Sequence, residues 1–311
     1  MGNARVSKAL IKPQKATRGR RTRQLIPYIY LSPTILLLIV LSFIPIATVF
    51  YYSLMDNVII TNTPPSFVGL DNYREILSNR HFHQALSNTL IFSVASVIAH
   101  LILGLAFAML LNTRFLGPTA KAFFRVIYIL PWVFTASIIA ILWRLLLNPN
   151  GVVNYLLIGM GFASTEIEWL GSRQLALPAV TFINIWAGYP FYMVSFLAGL
   201  QGISADLYEA GKIDGANDFQ LFRFITLPQL KPIIVSLAML DFIWTTHQFT
   251  LIWMTTGGGP VRATEMLSTF TYKLAFTSYQ FSQASATAMI ILAITTFVAV
   301  FYVRNQRLAN E

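Results

Sequence analysis

The sequence predicts an all-α polytopic membrane protein with six transmembrane helices. Of the 311 residues, 56% are hydrophobic and only 11% are charged. A hydrocarbon core about 30 Å thick is crossed by about 20 helical residues, and several uncharged stretches exceed that length. These stretches are continuously apolar, whereas barrel strands would alternate over about 10 residues, so a helical bundle is favoured. The four stretches without Asp, Glu, Lys or Arg are Leu25 to Met55, Phe82 to Thr113, Gln174 to Ala205 and Leu274 to Val303.

Two further spans are shorter or carry charge. Residues 123–147 have Arg125 and Arg144 near their ends, and residues 233–254 contain Asp241. The predicted organisation is a basic tail over 1–24, a six-helix membrane domain over 25–304 with a polar loop over 201–232, and a short end segment over 305–311. The predicted spans are 25–55, 82–112, 123–147, 175–200, 233–254 and 284–303.

The basic residues lie beside the membrane spans. The net charge is +10, which by itself is also compatible with nucleic-acid binding. A juxtamembrane tail is the better explanation, because lysine and arginine accumulate in the cytoplasmic segments of membrane proteins. That rule places both termini and the 201–232 loop in the cytoplasm. Eight basic residues precede Gln24: Arg5, Lys8, Lys12, Lys15, Arg18, Arg20, Arg21 and Arg23.

The 201–232 loop has well-defined helix and turn signals. Ser204 is a suitable N-cap for a short helix from Ala205 to about Lys212, and Asp214-Gly215 is a turn signal. Asn217 is a suitable cap for a second short helix, which we expect to end at Pro228 and Pro232. Leu207, Ala210 and Gly211 share one helical face with little bulk, suited to close contact with another protein surface.

Two motifs carry a family resemblance. In the loop, Glu209-Ala210-Gly211 is followed by three residues, Gly215, nine residues, and Ile225-Thr226-Leu227-Pro228. Residues 257–260 read Gly-Gly-Gly-Pro after a threonine, followed by Ala263-Thr264-Glu265. Both patterns resemble those of carbohydrate-type, maltose-importer-like permease subunits of binding-protein-dependent ABC transporters. The resemblance extends from about residue 25 to residue 304.

The resemblance implies a type I ABC importer permease fold and a set of partners. These are a second homologous permease, an ATPase dimer that binds ATP and Mg, an extracytoplasmic solute-binding protein, and a sugar or sugar derivative; this chain itself binds no cofactor and no metal. The alternative for the 201–232 segment is an ordinary loop between two spans, with no role in ATPase coupling. The implied ATPase-coupling residues are Glu209, Ala210, Gly211, Asp214, Gly215, Ala216, Ile225, Leu227 and Pro228, and the implied binding-protein contacts are Gly257, Gly258, Gly259 and Pro260.

Gly211 departs from the alanine that this motif more often has. Glycine lowers helix stability by about 1 kcal/mol relative to alanine. We therefore expect this position to loosen the coupling helix while still fitting a close contact.

The fifth span carries a polar and aromatic face. Asp241, Trp244, Thr245 and Gln248 stand at i, i+3, i+4 and i+7. Such a face should turn away from lipid, which predicts that it lines a pathway; the alternative is that these groups only bond across helices. Aromatic rings beside hydroxyl and amide groups suit sugars. The complete predicted pathway set is Asp241, Trp244, Thr245, His247, Gln248, Trp132, Trp186 and Tyr189.

Several other functions lack their motifs. The chain has no G-x-x-x-x-G-K-[ST] phosphate loop, no H-E-x-x-H and no G-x-S-x-G, so neither nucleotide hydrolysis nor a paired catalytic site is predicted. It also has no cysteine, which excludes thiol chemistry. The alternative transport mechanism is a secondary transporter that uses Asp241 or His247 as a proton relay. For His100, a neutral imidazole bonded to a neighbouring helix is the expected role.

Overall fold

The computed structural model describes the backbone of residues 18–56, 58–59, 64–113 and 115–308. Side chains are described within the same ranges from residue 28 to residue 304. The basic residues Arg5, Lys8, Lys12 and Lys15 lie outside the described residues, so the predicted juxtamembrane tail stays a prediction. The chain divides into two compact units, residues 1–51 and residues 52–311.

Helices account for nearly all the regular structure, which confirms the all-α prediction. The described residues contain two short strands, β1 (Met55–Asp56) and β2 (Ser66–Phe67), which pair with each other in antiparallel orientation. The helices are α1 (Arg18–Leu38), α2 (Ile44–Ser53), α3 (Asp71–Ser78), α4 (Arg80–Asn112), α5 (Pro118–Val133), α6 (Ala136–Leu146), α7 (Val152–Gly159), α8 (Ala176–Gln201), α9 (Ala205–Ile213), α10 (Asp218–Leu221), α11 (Leu227–Thr246), α12 (Thr250–Thr255), α13 (Leu267–Phe276) and α14 (Phe281–Leu308).

In the first unit, a π-helical turn over Ile39–Phe43 joins α1 to α2. The helix begins at Arg18, seven residues before the start of the predicted span at residue 25. The wide turn lies immediately before Pro45, which has no N–H to donate to the preceding turn. The π-helical turn therefore accommodates a proline without ending the helix.

Six membrane spans are present if one bent pair counts as a single span. The described residues contain five helices long and apolar enough to cross a membrane, and α5 and α6 together make the sixth. The span predicted over 123–147 corresponds to α5 and α6, which meet at a bend of 98°. Pro131 lies inside α5, and Thr135 accepts a hydrogen bond from the Ile138 N–H at 3.4 Å, which starts a new helix.

The fifth span also differs from its prediction of 233–254. A second π-helical turn, Phe222–Thr226, joins α10 to α11, so one helix runs from Asp218 to Thr246. We expected Pro228 and Pro232 to end the short helix of the loop. Instead, both prolines lie inside the continuous helix from Asp218 to Thr246. Proline is tolerated at the first turn of a helix, because its missing N–H has no helical partner there. The π-helical turn before Pro228 changes the hydrogen-bond pattern locally, so the helix continues through the proline. The helix instead ends at His247.

The second unit is organised around the contact between α4 and α8. A Cβ added to Gly104 of α4 would lie 2.3 Å from the Tyr192 Cβ and 3.0 Å from the Met193 backbone nitrogen of α8. The backbones of the two helices therefore touch at this glycine. Small residues at membrane helix crossings allow this close van der Waals packing. Met193 and Phe196 are fully buried beside the crossing.

We expect Gly104→Ala to separate α4 from α8, because the obstructing atoms belong to the partner backbone and its Cβ. Overpacking a close contact costs about 1–3 kcal/mol. Thermal unfolding of the detergent-solubilised protein should show a clearly lower Tm. Gly159→Ala is the matched control, since a Cβ there meets nothing within 4 Å. Equal Tm values for the two variants would contradict the proposed crossing.

Candidate solute pathway and coupling loop

A cavity of about 230 Å³ lies between helices α4, α5, α6, α8, α11 and α12. It is bordered by the α5–α6 break on one side and by the α11–α12 break on another. Non-helical backbone is tolerated at membrane depth where it is buried or lines a cavity. Transport sites are often built from such interrupted helices. The lining residues are His100, Trp132, Phe134, Ala136, Ile139, Asn184, Ala187, Gly188, Asp241, Trp244, Thr245, Gln248 and Leu251.

One hydrogen-bonded network forms the polar side of the cavity. The Asp241 Oδ1 accepts from the Thr245 hydroxyl at 3.0 Å, and its Oδ2 lies 2.8 Å from the His100 Nδ1. The His100 Nε2 lies 3.1 Å from the Asn184 carbonyl oxygen. The Gln248 amide nitrogen lies 3.5 Å from the Asn184 Oδ1, a long contact that leaves the Gln248 amide available to a solute.

Two tryptophans form the aromatic side. Trp244 is 56% exposed and Trp132 is 52% exposed, although both line the cavity. Their ring centroids lie 5.9 Å and 5.8 Å from that of Phe191, which supports both rings. The cavity therefore presents open aromatic surface beside hydroxyl, amide and carboxylate groups.

The structure brings five of the eight predicted pathway residues together: Asp241, Trp244, Thr245, Gln248 and Trp132 line the cavity. The shared face of the fifth span predicted four of these. The alternative, that these groups bond across helices, also describes part of the arrangement, because Asp241 bonds to His100 of α4.

The other three predicted pathway residues lie outside this cavity. On α8 the cavity face is Asn184, Ala187 and Gly188, at i, i+3 and i+4, so the neighbouring aromatic residues point elsewhere. Trp186 packs edge-on against Trp143, with ring centroids 5.4 Å apart. Tyr189 packs on Phe107 at 5.1 Å. His247 caps the C-terminus of α11 on its exposed side.

Asn184 and Gly188 line the cavity but are not among the residues predicted from the sequence. The available signal was a single asparagine in an otherwise apolar run, which by default marks a buried polar contact. Gly188 matters because a Cβ there would lie 2.3 Å from the His100 Nε2. His100 is bonded to neighbouring helices, as we expected, but it also lines the cavity.

At the other end of α11, the predicted coupling loop folds as a helical hairpin. Ser204 caps α9 by accepting from the Asp206 N–H at 3.3 Å, and Gly215 makes the turn at φ +82°. Asn217 and Gln220 form a reciprocal capping box at 2.9 and 2.8 Å. The Tyr208 hydroxyl lies 2.9 Å from that of Thr226, which ties α9 to the π-helical turn.

Gly211 packs within the hairpin and does not belong to an outward-facing strip. A Cβ at Gly211 would lie 2.7 Å from the Leu221 Cδ2 and 3.1 Å from the Ile225 Cδ1. The predicted strip of Leu207, Ala210 and Gly211 is therefore divided: Gly211 faces α10 and the π-helical turn, whereas Leu207 and Ala210 are exposed. Close packing at Gly211 counters the loosening expected from its low helix propensity.

The hairpin exposes several apolar side chains together with the motif residues. Glu209, Asp214 and Pro228 are exposed, Ala216, Ile225 and Leu227 are half-buried, and Gly215 stands at the exposed turn. Ile213 is 86% exposed and Phe219 is 72% exposed. Exposed apolar groups beside a defined turn are typical of a protein contact.

The Gly257 to Pro260 segment is held by residues of the following motif. Gly257 and Gly258 adopt positive φ values of 61° and 87°, which favour glycine. The Thr264 hydroxyl donates to the Gly259 carbonyl at 2.7 Å. Gly258 is buried against Glu265, while Gly257, Gly259 and Pro260 are half-buried, so this turn is less exposed than we expected.

Glu265 is the ionic centre of that turn. Its side chain is 1% exposed and bridges Arg262 at 2.5 Å and Lys273 at 2.9 Å. Asn88 of α4 donates to the Glu265 carbonyl at 3.0 Å and to the Arg262 carbonyl at 3.1 Å. The Ala263-Thr264-Glu265 motif therefore fastens the glycine-rich turn to α4 and α13.

The fold and both motifs define a membrane transport subunit, and comparison with known proteins places it in a family. A model of the inner membrane component of binding-protein-dependent transport systems matches residues 100–310. The chain belongs to this family. It is a multi-pass inner membrane permease of an ATP-driven uptake system, and in this family the ATPase is a separate chain.

Particular relatives match over most of their length. A trehalose/maltose transport system permease protein of Thermococcus litoralis is 37% identical, over 88% of this chain and 89% of the relative. A diacetylchitobiose uptake system permease protein of Streptomyces coelicolor is 33% identical, over 78% and 71%. The permease fold is also that of a bacterial alginate ABC transporter solved in complex with an alginate pentasaccharide-bound periplasmic protein. The TM-score is 0.81 at 22% identity, covering 94% of this chain and 98% of that chain.

We expect Glu265→Ala to destabilise the glycine-rich turn, because it leaves the charges of Arg262 and Lys273 without their buried partner. The Arg262 and Lys273 side chains are 39% and 28% exposed, so water solvates part of their charge, and the cost is smaller than the about 3–5 kcal/mol of a fully buried pair. Limited proteolysis should cut this turn faster in the variant. Glu166→Ala is the control, since Glu166 is exposed. Equal cleavage rates in the two variants would contradict an anchoring role for Glu265.

Proposed function

We propose that this permease carries a sugar or sugar derivative through the cavity beside α11. The observation that carries this proposal is the pairing of two open tryptophan faces with a hydroxyl, two amides and a carboxylate in one cavity. Sugar C–H faces stack on aromatic rings, and sugar hydroxyls bond to such polar groups. The substrates named for the trehalose/maltose and diacetylchitobiose relatives support the same class.

The proposed assembly has this chain beside a second homologous permease. A cytoplasmic ATPase dimer binds ATP and Mg and receives the α9 hairpin, with Glu209, Gly215 and the neighbouring motif residues at the contact. An extracytoplasmic solute-binding protein docks near the Gly257 to Pro260 turn. The excess of lysine and arginine around the hairpin and both termini supports a cytoplasmic location for them.

Force can reach the cavity through one continuous element. The helix from Asp218 to Thr246 has 29 residues, which corresponds to about 43 Å. The hairpin packs on its first turns, and Asp241, Trp244 and Thr245 of the same helix line the cavity. ATP-driven closure of the ATPases would move the hairpin and tilt this helix, which opens the cavity toward the binding protein.

A proton relay through Asp241 or His247 is less well supported by the geometry. Asp241 is already paired with His100, and His247 lies outside the cavity. The transport proposal is tested with the four-part importer in proteoliposomes and radiolabelled maltose, trehalose and diacetylchitobiose. We expect uptake of at least one sugar that requires ATP and the binding protein. Uptake that survives without ATP but stops when the proton gradient is removed would overturn ATP coupling in favour of the relay.

For the pathway, we expect Trp244→Ala and Gln248→Ala each to reduce uptake at least tenfold, because each removes a direct solute contact worth about 1.4 kcal/mol or more. Trp253→Ala is the matched control. Trp253 packs between Phe249 and Tyr272 at 5.5 and 4.7 Å and does not line the cavity. Equal effects of all three substitutions on uptake would rule out this cavity as the pathway.

For the coupling loop, we expect Gly215→Pro to leave the subunit in the membrane but to uncouple ATP hydrolysis from uptake. Proline fixes φ near −65°, whereas Gly215 has φ +82°. The ratio of sugar taken up to ATP hydrolysed should fall severalfold. Gly202→Ala is the control, because its φ of −81° suits any residue. A wild-type ratio for Gly215→Pro would refute the assignment.

A further inference from the structure

The cavity contains one ionisable pair, and both members are buried. Among its lining residues, all of which are described, only His100 and Asp241 are ionisable. Their exposed fractions are 2% and 6%. The net charge that this chain contributes to the cavity wall therefore depends on these two side chains alone.

His100 is held tightly by α8. The Tyr192 ring stacks on the imidazole with centroids 5.1 Å apart and planes 22° apart. The imidazole also contacts Gly188 of α8, where a Cβ would lie 2.3 Å from the His100 Nε2. The missing side chain of Gly188 therefore leaves room for the ring. The orientation of the ring is thus set by packing, and its two nitrogens face two different helices.

The hydrogen bonds determine how many protons the pair holds. The Nε2 faces the Asn184 carbonyl oxygen, which only accepts, so the Nε2 carries a proton. The Nδ1 faces the Asp241 Oδ2, so one further proton lies between these two atoms. Whether that proton sits on nitrogen or on oxygen, the pair has no net charge. The other carboxylate oxygen is occupied by the Thr245 hydroxyl.

We propose that His100 is a specificity-determining positioning residue, which keeps the cavity electrically neutral by holding Asp241 in a shared-proton pair, so that the pathway suits uncharged polyhydroxylated solutes. The class of solute in this proposal rests on the proposed function, whereas the neutrality of the His100–Asp241 pair does not. Without His100, we expect the Asp241 carboxylate, which still accepts from the Thr245 hydroxyl, to face the solute as a net negative charge. An uncharged sugar cannot neutralise that charge, whereas a cationic solute can.

The absence of cysteine from the chain allows the charge to be measured directly. Ala187→Cys places one thiol in the cavity lining. In the assembled importer, its rate of reaction with a cationic methanethiosulfonate (the ethyltrimethylammonium reagent) is compared with its rate with an anionic one (the ethylsulfonate reagent). Importer without the introduced cysteine gives the background. The ratio of the two rates reports the local potential and needs neither sugar nor binding protein.

Three variants are made in the Ala187→Cys background: His100→Asn, Asp241→Asn and the double variant. His100→Asn should raise the cation-to-anion rate ratio about tenfold, because an uncompensated charge a few ångströms away acts in opposite senses on the two reagents. Asp241→Asn and the double variant should keep the parent ratio, since both are neutral. An unchanged ratio in His100→Asn, or a raised ratio in the double variant, would overturn the proposal.

Sugar uptake supplies the second readout. We expect His100→Asn to reduce uptake at least tenfold more than Asp241→Asn does, and the double variant to recover most of that difference. A purely structural hydrogen bond would make the two single variants equally defective with no recovery, which would also overturn the proposal. If His100→Asn does not assemble with the ATPase, His100→Gln takes its place. If the thiol ratios behave as expected while no sugar is transported, the charge role stands and the sugar assignment fails.

Discussion

Polar groups at membrane depth in this protein need partners within protein, because hydrocarbon offers none. The contact of His100 with Asp241 and Asn184 satisfies this constraint at the point where α4, α8 and α11 meet. It also explains why the cavity lies there: the two helix breaks, whose backbone would be costly in lipid, both border the same space. The hydrogen-bonded network, the two helix breaks and the cavity therefore lie together, where polar groups are satisfied inside the protein.

Close packing by glycine makes that arrangement possible. Gly104 allows the α4 and α8 backbones to touch, and Gly188 leaves space for the imidazole. Gly211 has the same role in the α9 hairpin, where its missing side chain lets α9 lie against Leu221 and Ile225. In each case the glycine is explained by a neighbour that is distant in the sequence or lies in the next element. Its helix propensity alone would have suggested a weakness at the same position.

The long helix from Asp218 to Thr246 connects the α9 hairpin to the cavity. Two prolines lie in its first half, yet the π-helical turn at Phe222–Thr226 keeps it continuous. A break at those prolines would separate the hairpin from Asp241 and Trp244. The same device precedes Pro45 in the first unit. A wider turn placed just before a proline therefore keeps the helix continuous where the sequence suggests an interruption.

The sequence by itself determined the all-α membrane class, the family and the polar face of the fifth span. These follow from signals that are local or periodic: long uncharged runs, fixed motif spacing, and residues repeated every three or four positions. Only the tertiary structure determined the 98° bend between α5 and α6 and the pairing of His100 with Asp241. It also placed three predicted pathway residues outside the cavity: Trp186, Tyr189 and His247. These depend on how helices rotate and pack against one another, and contacts 141 residues apart in the chain leave no periodic signal in the sequence.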